Sequence, residues 1–261
     1  MSFPDLRALL GPGVGVAGRC PSTAPTYFVN PSQYPGMERL TDGVHALTQT
    51  VQAPDGERAF NPVAVETNRG LLLLDVGLPG QAEALWEELA TAAFDWPDVW
   101  AVLVTHQDGD HAGALASVCE KTDAVVFAHE GCAPYVDGRK DPLKSDGDRY
   151  PPVPVDVELV GEERFRTAAG PMVVVYTPGH APGHVSVYFP EEHLLIAADA
   201  LTAADGALRG PSEQFTLDMA EATQSVARLA ALAADRVHCY HGGTVATDDD
   251  RIAELAESIE L

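Results

Sequence analysis

The segment Thr105-His106-Gln107-Asp108-Gly109-Asp110-His111-Ala112-Gly113 constrains this chain more than any other. It follows directly on Val99–Thr105, an apolar run that reads as a buried strand, and it runs into the helical spacing of Gly113–Lys121. Four potential metal ligands therefore sit within six residues on a strand-to-helix turn. Imidazole and carboxylate are the usual non-thiolate ligands of zinc and iron. Alternate residues His106 and Asp108 can face one ion, and Asp110 and His111, displaced by the turn, can face a second. So many ionisable groups beside a buried strand would be costly without a cation.

Three further sites extend the cluster. Thr177-Pro178-Gly179-His180-Ala181-Pro182-Gly183-His184 puts a histidine in a rigid Pro/Gly loop after a strand. Ala197-Ala198-Asp199-Ala200 ends an apolar strand on a carboxylate, and His241-Gly242-Gly243 follows the strand Arg236–Tyr240. Each alone is a weak signal; in this order, all at strand ends, they form one constellation.

With these residues in view the chain resembles the metallo-β-lactamase superfamily, in particular its glyoxalase-II-like branch. The family pattern runs HxHxDH, a His in a PGH loop, an Asp in a GDA-like turn and a C-terminal His-Gly. It is matched by His106/Asp108/Asp110/His111, His180, Asp199 and His241 over roughly Met37–Thr244. The resemblance implies an α/β fold, an αββα four-layer sandwich with a dinuclear metal site at one edge of its two sheets. It also implies that His106, Asp108 and His180 hold the first ion. Asp110, His111 and His241 would hold the second, with Asp199 bridging; Asp110 and Asp199 are the expected catalytic carboxylates. The expected cofactors are two divalent ions, zinc first, with iron or manganese as alternatives.

One position departs from the pattern. Where the family carries its second histidine this chain has Asp108. A third carboxylate beside Asp110 and Asp199 makes the site one charge less positive than usual, which would raise the pKa of a bound water and favour harder ions. Flavodiiron relatives carry an acidic residue there, but also a flavodoxin domain for which 261 residues leave no room.

Two strand-then-helix rounds suggest a two-sheet core with helices outside. A hairpin is expected around Asn68-Arg69-Gly70, between strands Pro62–Thr67 and Gly70–Asp75. Helices are expected over Gln81–Ala93, Thr216–Ala233 and Asp248–Leu261. Other strands are expected at Val44–Gln49, Ala124–Ala128, Phe165–Thr167, Met172–Tyr176, Val185–Phe189 and Leu194–Ala198. Residues 1–36, rich in Pro and Gly, read as an N-terminal extended arm on the single domain 37–261. The arm would pack on the surface or on a partner subunit, which leaves a homo-oligomer open. Residues 130–153 read as a long polar loop, on which Tyr135 and Arg139 could touch substrate.

Composition narrows the partners. Asp+Glu number 39 against 16 Lys+Arg, of which only Lys121, Lys140 and Lys144 are lysines, for a formal net charge of -23. Such a surface repels itself in dilute salt and resembles proteins of salt-in halophiles. A nucleic-acid partner, which needs clustered Lys/Arg, is disfavoured. No apolar run approaches the roughly 18–20 residues that span a bilayer, and the Met1-Ser2-Phe3-Pro4-Asp5 start lacks a secretory pattern. Cys20, Cys119, Cys132 and Cys239 form no CxxC and read as thiols of a reducing, cytoplasmic compartment.

Together these features imply a metal-dependent hydrolase whose metal-bound hydroxide cleaves a small-molecule ester, thioester, lactone or lactam carbonyl. A phosphodiesterase or nuclease, an iron-dependent redox or sulfur-oxidising protein, and a non-enzymatic metal-bearing interaction module are the competing classes. His184 reads as support for the site or as core. His129 is a candidate for the substrate pocket. His45, His193 and His238 read as packing or surface. Ser212 lacks a nucleophile-elbow context.

Overall fold

The computed structural model describes residues 37–53, 56–144 and 149–258. The expected 1–36 arm, Cys20 and the tip of the Pro54-Asp55-Gly56 turn lie outside the described residues or at their edge. Along the chain come β1 (Glu38–Thr41) and β2 (Val44–Ala46), then a separate hairpin of β3 (Gln49–Ala53) and β4 (Gly56–Phe60). β5 (Val63–Thr67) and β6 (Gly70–Leu74) follow. Helix α1 (Ala82–Thr91) leads to β7 (Val99–Val104), and α2 (Gly109–Ala112) and α3 (Leu115–Cys119) lead to β8 (Val125–His129). Helix α4 (Ala133–Val136) precedes β9 (Val157–Leu159).

Seven of these strands form one sheet in the order β1-β2-β5-β6-β7-β8-β9. β6, β7, β8 and β9 run parallel, each joined to its neighbour by a crossover. Leu71–Leu74 is buried on both faces, which is why that strand reads as an unbroken apolar run. The second half of the chain supplies β10 (Arg164–Thr167), β11 (Gly170–Tyr176), β12 (Val185–Phe189) and β13 (Leu194–Ala198). A hairpin of β14 (Thr202–Ala204) and β15 (Ala207–Arg209) and helix α5 (Met219–Ala230) come next. β16 (Arg236–Cys239), β17 (Gly243–Ala246) and helix α6 (Asp249–Ser258) complete it. The second sheet has the order β10-β11-β12-β13-β16-β17, with β13 and β16 parallel.

Three apolar cores define four layers. Leu72, Leu74, Leu103, Val187, Phe189 and Leu194 pack between the sheets. Leu85, Leu89, Leu115 and Val118 of α1 and α3 cover the outer face of the first sheet. Val226, Leu229, Ile252 and Leu255 of α5 and α6 cover the second. The expected αββα sandwich is what the chain forms. Helix α5 starts where its cap allows: Asp218 Oδ1 accepts from Glu221 N at 2.9 Å, and Ala222, Val226 and Leu229 share its buried face.

The expected single helix over Gly113–Lys121 is corrected to α2 followed by α3. The ladder breaks because Ala114 N donates to Gly77 O at 3.1 Å instead of continuing the turn. The 130–153 loop carries α4 and so is not wholly irregular. Among the described residues no helix is long and apolar enough to cross a membrane. Cys119, Cys132 and Cys239 are free thiols; burial pushes Cys119 up to about 11 and the other two higher.

Candidate metal centre

Parallel strands carry their C-terminal ends to one edge, and the loops leaving those ends meet there. His106, Asp108, Asp110 and His111 leave β7, His180 leaves β11, Asp199 leaves β13 and His241 leaves β16. All seven residues singled out in the sequence converge. His106, His180 and Asp199 present ligand atoms within 4.8 Å of one another, and so do Asp110, His111 and His241.

Asp199 joins the two triads. Its Oδ2 lies 3.4 Å from His180 Nε2 and 3.3 Å from His241 Nε2, and its Oδ1 lies 3.3 Å from His111 Nε2. Asp110 Oδ2 lies 3.2 Å from His241 Nε2. Asp108 Oδ2 lies 3.4 Å from His106 Nε2 and 3.2 Å from His180 Nε2. Separations of roughly 3.2–3.6 Å are those of ligands sharing one tetrahedral ion with bonds near 2.1 Å.

The residues fit divalent ions on a direct observation. His106 Nε2, His111 Nε2 and Asp199 Oδ1 are buried and have no hydrogen-bond partner. Orphaned buried polar atoms are costly, and a cation is what an imidazole lone pair and a carboxylate oxygen would share. Charge agrees. Burial works against the imidazolium of His111, yet Asp199, Asp75 and Asp110 raise its pKa well above the usual range. His241 is raised to about 9, against its burial, by Asp110 and Asp199. The cluster is negative enough to draw positive charge onto its own histidines. The Asp199 carboxyl is held well below its usual range by His111 and His241 despite full burial.

A surrounding layer fixes how these rings face. Asp75, at the end of β6 with φ 62°, accepts from Thr105 N at 2.8 Å, Thr105 Oγ1 at 2.7 Å and His111 Nδ1 at 2.8 Å. With its oxygen free as acceptor, Thr105 Oγ1 takes the Nδ1–H of His106 at 3.1 Å. Both rings then turn Nε2 toward the centre. On the other side Asp199 N donates to His184 Nε2 at 3.1 Å, and His184 Nδ1–H donates to Thr177 Oγ1 at 2.9 Å. His184 is thus a support for Asp199, in line with one of its two sequence readings; burial keeps it neutral, with a pKa well below the usual range. Tyr240 stacks on His111 with centroids 3.7 Å apart and its hydroxyl donates to Asp110 O.

Glycine is required beside two ligands. Gly179, at φ 122°, packs so close to helix α5 that a Cβ would lie 2.2 Å from Ala222 N. Gly242, at φ 102°, would put a Cβ 1.9 Å from Ala203 O. His180 and His241 are therefore seated by backbone contacts that exclude a side chain next to them.

The centre floors a cavity of about 800 Å³. Phe60, Leu78, Pro79 and Phe215 supply apolar wall and Arg58 and Lys144 the cationic part. Of the other sequence candidates, Ser212 lines this cavity. His129 does not; it stacks on Tyr176 at 4.3 Å. Tyr135 is buried and Arg139 pairs with Asp137 and Glu158, so neither forms the wall. His45 pairs with Glu66, His193 contacts Ala233 O and His238 contacts Asn61 O and Thr244. Sequence reasoning misses Asp75, Thr105, Tyr240 and Lys144 as site residues. A signal for Asp75 is present: a carboxylate ending a wholly apolar strand, followed by Gly77.

The model of the metallo-beta-lactamase superfamily matches residues 56–243. The chain is similar to the probable metallo-hydrolase YflN of Bacillus subtilis, 26% identical over 232 residues, 77% of this chain and 84% of that one. It is also similar to a hydroxyacylglutathione hydrolase of Pseudomonas aeruginosa, 34% identical over 181 residues, 69% of this chain. The match spans 59% of that hydrolase's own length. Among solved structures, a metallo-beta-lactamase family protein of Thermus thermophilus superposes with a TM-score of 0.67 at 25% identity, covering 84% of this chain and 80% of that one.

Proposed function

The chain belongs to the metallo-beta-lactamase superfamily and is a metal-dependent hydrolase, and from that premise we propose that it cleaves the carbonyl of a small-molecule ester, thioester, lactone or lactam at a dinuclear centre. The observation that carries this reading is Asp199, whose two oxygens face both ligand triads at the floor of one open cavity. A cavity of about 800 Å³ suits a small molecule rather than a polymer.

His106, Asp108, His180 and Asp199 would hold the first ion and Asp110, His111, His241 and Asp199 the second; zinc is the ion we favour, with iron or manganese as alternatives. Two such ions supply Lewis acidity toward a carbonyl oxygen and make a water acidic near neutral pH. The chain's own residues do the rest. Asp75 and Thr105 hold His111 and His106 in the tautomer that keeps Nε2 free. His184 holds the backbone of Asp199. Asp110, which lines the cavity, would hold the second ion through Oδ2 and would leave its other oxygen to accept the proton of an attacking water. The wall of Phe60, Leu78, Pro79 and Phe215 offers apolar contact to the acyl group.

A hydrolysis screen tests this reading. Protein reconstituted with zinc, manganese or iron in concentrated KCl is offered esters, thioesters, lactones and lactams. Turnover of one class, abolished by chelator and by Asp199→Asn, is the expected result. Turnover only of phosphodiesters, or of no class in any metal form, would count against it.

A further inference from the structure

Lys144 is one of only three lysines in the chain, and its ammonium sits against the metal centre. Nζ lies 2.6 Å from Asp108 Oδ2, 2.9 Å from Phe215 O and 3.2 Å from His180 O. His180 Nε2 lies 3.0 Å away, so the three protons of the ammonium have four acceptors in reach.

The position is enforced by the chain around it. Lys144 itself has φ 58°, a left-handed value that a residue with a Cβ adopts at a cost. Its neighbour Leu143 N donates to Gln107 Oε1 at 2.8 Å, and Gln107 Nε2 donates to Asp108 Oδ1 at 2.7 Å. Tyr150 Oη donates to Gln107 O at 2.9 Å. Gln107 thus holds both members of the pair at once. The ion pair is partly buried, with 20% of the lysine side chain and 16% of the aspartate exposed, so solvent screens it only in part.

We propose that Lys144 is the dedicated counter-ion of Asp108, and that the two together replace the family's second histidine as one neutral unit that sets how tightly the first site holds its ion. The proposal rests on the metal-centre reading above. Counting Asp108 alone makes the site one charge less positive than one with a histidine there; counting Lys144 with it restores the balance. Removing Lys144 leaves an uncompensated carboxylate beside His106 and His180, which attracts a cation. Neutralising Asp108 leaves an unpaired ammonium there, which repels one. Removing both charges cancels the electrostatic part and leaves the loss of the Asp108 ligand.

The test is a chelator-competition titration of metal-free full-length protein with Zn²⁺, read as two stepwise affinities. The step lost in His241→Ala belongs to the second site. Lys144→Met is expected to tighten the first site by about tenfold or more and Asp108→Asn to weaken it by about tenfold or more. The double variant should bind at the first site about tenfold more tightly than Asp108→Asn alone, and Lys144→Arg should match the unaltered protein, because the charge is kept. An unchanged second-site affinity shows that each variant is folded. First-site affinity that stays the same or falls in Lys144→Met overturns the proposal. So does a double variant no better than Asp108→Asn alone, which would make Asp108 a ligand indifferent to Lys144. An unaltered protein that binds no ion at either site overturns the metal-centre reading itself.

Discussion

Asp75 Oδ2 accepts a hydrogen bond from His111 Nδ1 at 2.8 Å, and both side chains are buried. The contact fixes the tautomer of His111 and aims Nε2 at the centre, and the same carboxylate ties down Thr105 and through it His106. One residue at the end of β6 therefore orients a histidine of each triad. Asp75→Ala should lower metal affinity by about 10–100-fold, the usual effect of removing a group that orients a ligand. Chelator competition measures it, and an unchanged affinity would show that the rings hold their orientation unaided.

Gly242 seats His241 by lying against Ala203 O. Gly242→Ala adds a methyl group at φ 102° where the carbonyl already stands, so the β14–β15 hairpin or His241 must move. We expect a loss of roughly 1–3 kcal/mol in denaturant unfolding and a selective fall in second-site metal affinity. Retention of both properties would place no functional demand on that close approach.

His238 is buried and neutral: Nε2–H donates to Asn61 O at 3.2 Å, and Nδ1 accepts from Thr244 Oγ1 at 3.0 Å. Burial lowers its pKa to about 4 from 6.5. The unfolded chain therefore binds a proton that the folded chain refuses between those values. The stability this group contributes is present above about pH 6.5 and is lost as pH falls toward 4, a span of at most about 3 kcal/mol. His238→Gln, whose amide can make both bonds, should flatten this part of the stability profile. Equal slopes in the two proteins would show that His238 is not the group responsible.

The acidic balance of 39 Asp+Glu against 16 Lys+Arg predicts a salt requirement. Raising salt from 0.1 M to 1 M shortens the screening length from about 10 Å to about 3 Å and relieves surface self-repulsion. Tm should rise steeply with KCl. A flat response between low and multimolar salt would remove the halophile reading.

Periodicity and strand-end position make most of the architecture legible. Val185–Phe189 and Leu194–Ala198 appear with the expected bounds, because five consecutive buried residues leave little else to read. The Asn68-Arg69-Gly70 turn joins β5 and β6 as its residues require. Short strands such as Thr202–Ala204 and Gly243–Ala246 escape a sequence reading: half-exposed small residues carry no alternation, and their pairing is set by tertiary contact. The seven ligand candidates are legible because each is a costly group at an apolar strand's end. Lys144 is not, because its importance comes from a loop that folds back over 36 residues to reach Asp108, and nothing local announces that closure.

The central claim is that Asp199 joins two triads into one dinuclear centre. Metal analysis of the purified protein, reconstituted with Zn²⁺, Mn²⁺ or Fe²⁺ and freed of loosely bound ions, tests it most directly. The account predicts two tightly bound ions per chain, falling in Asp199→Asn and unchanged in His193→Gln. One ion or none with every metal would contradict it.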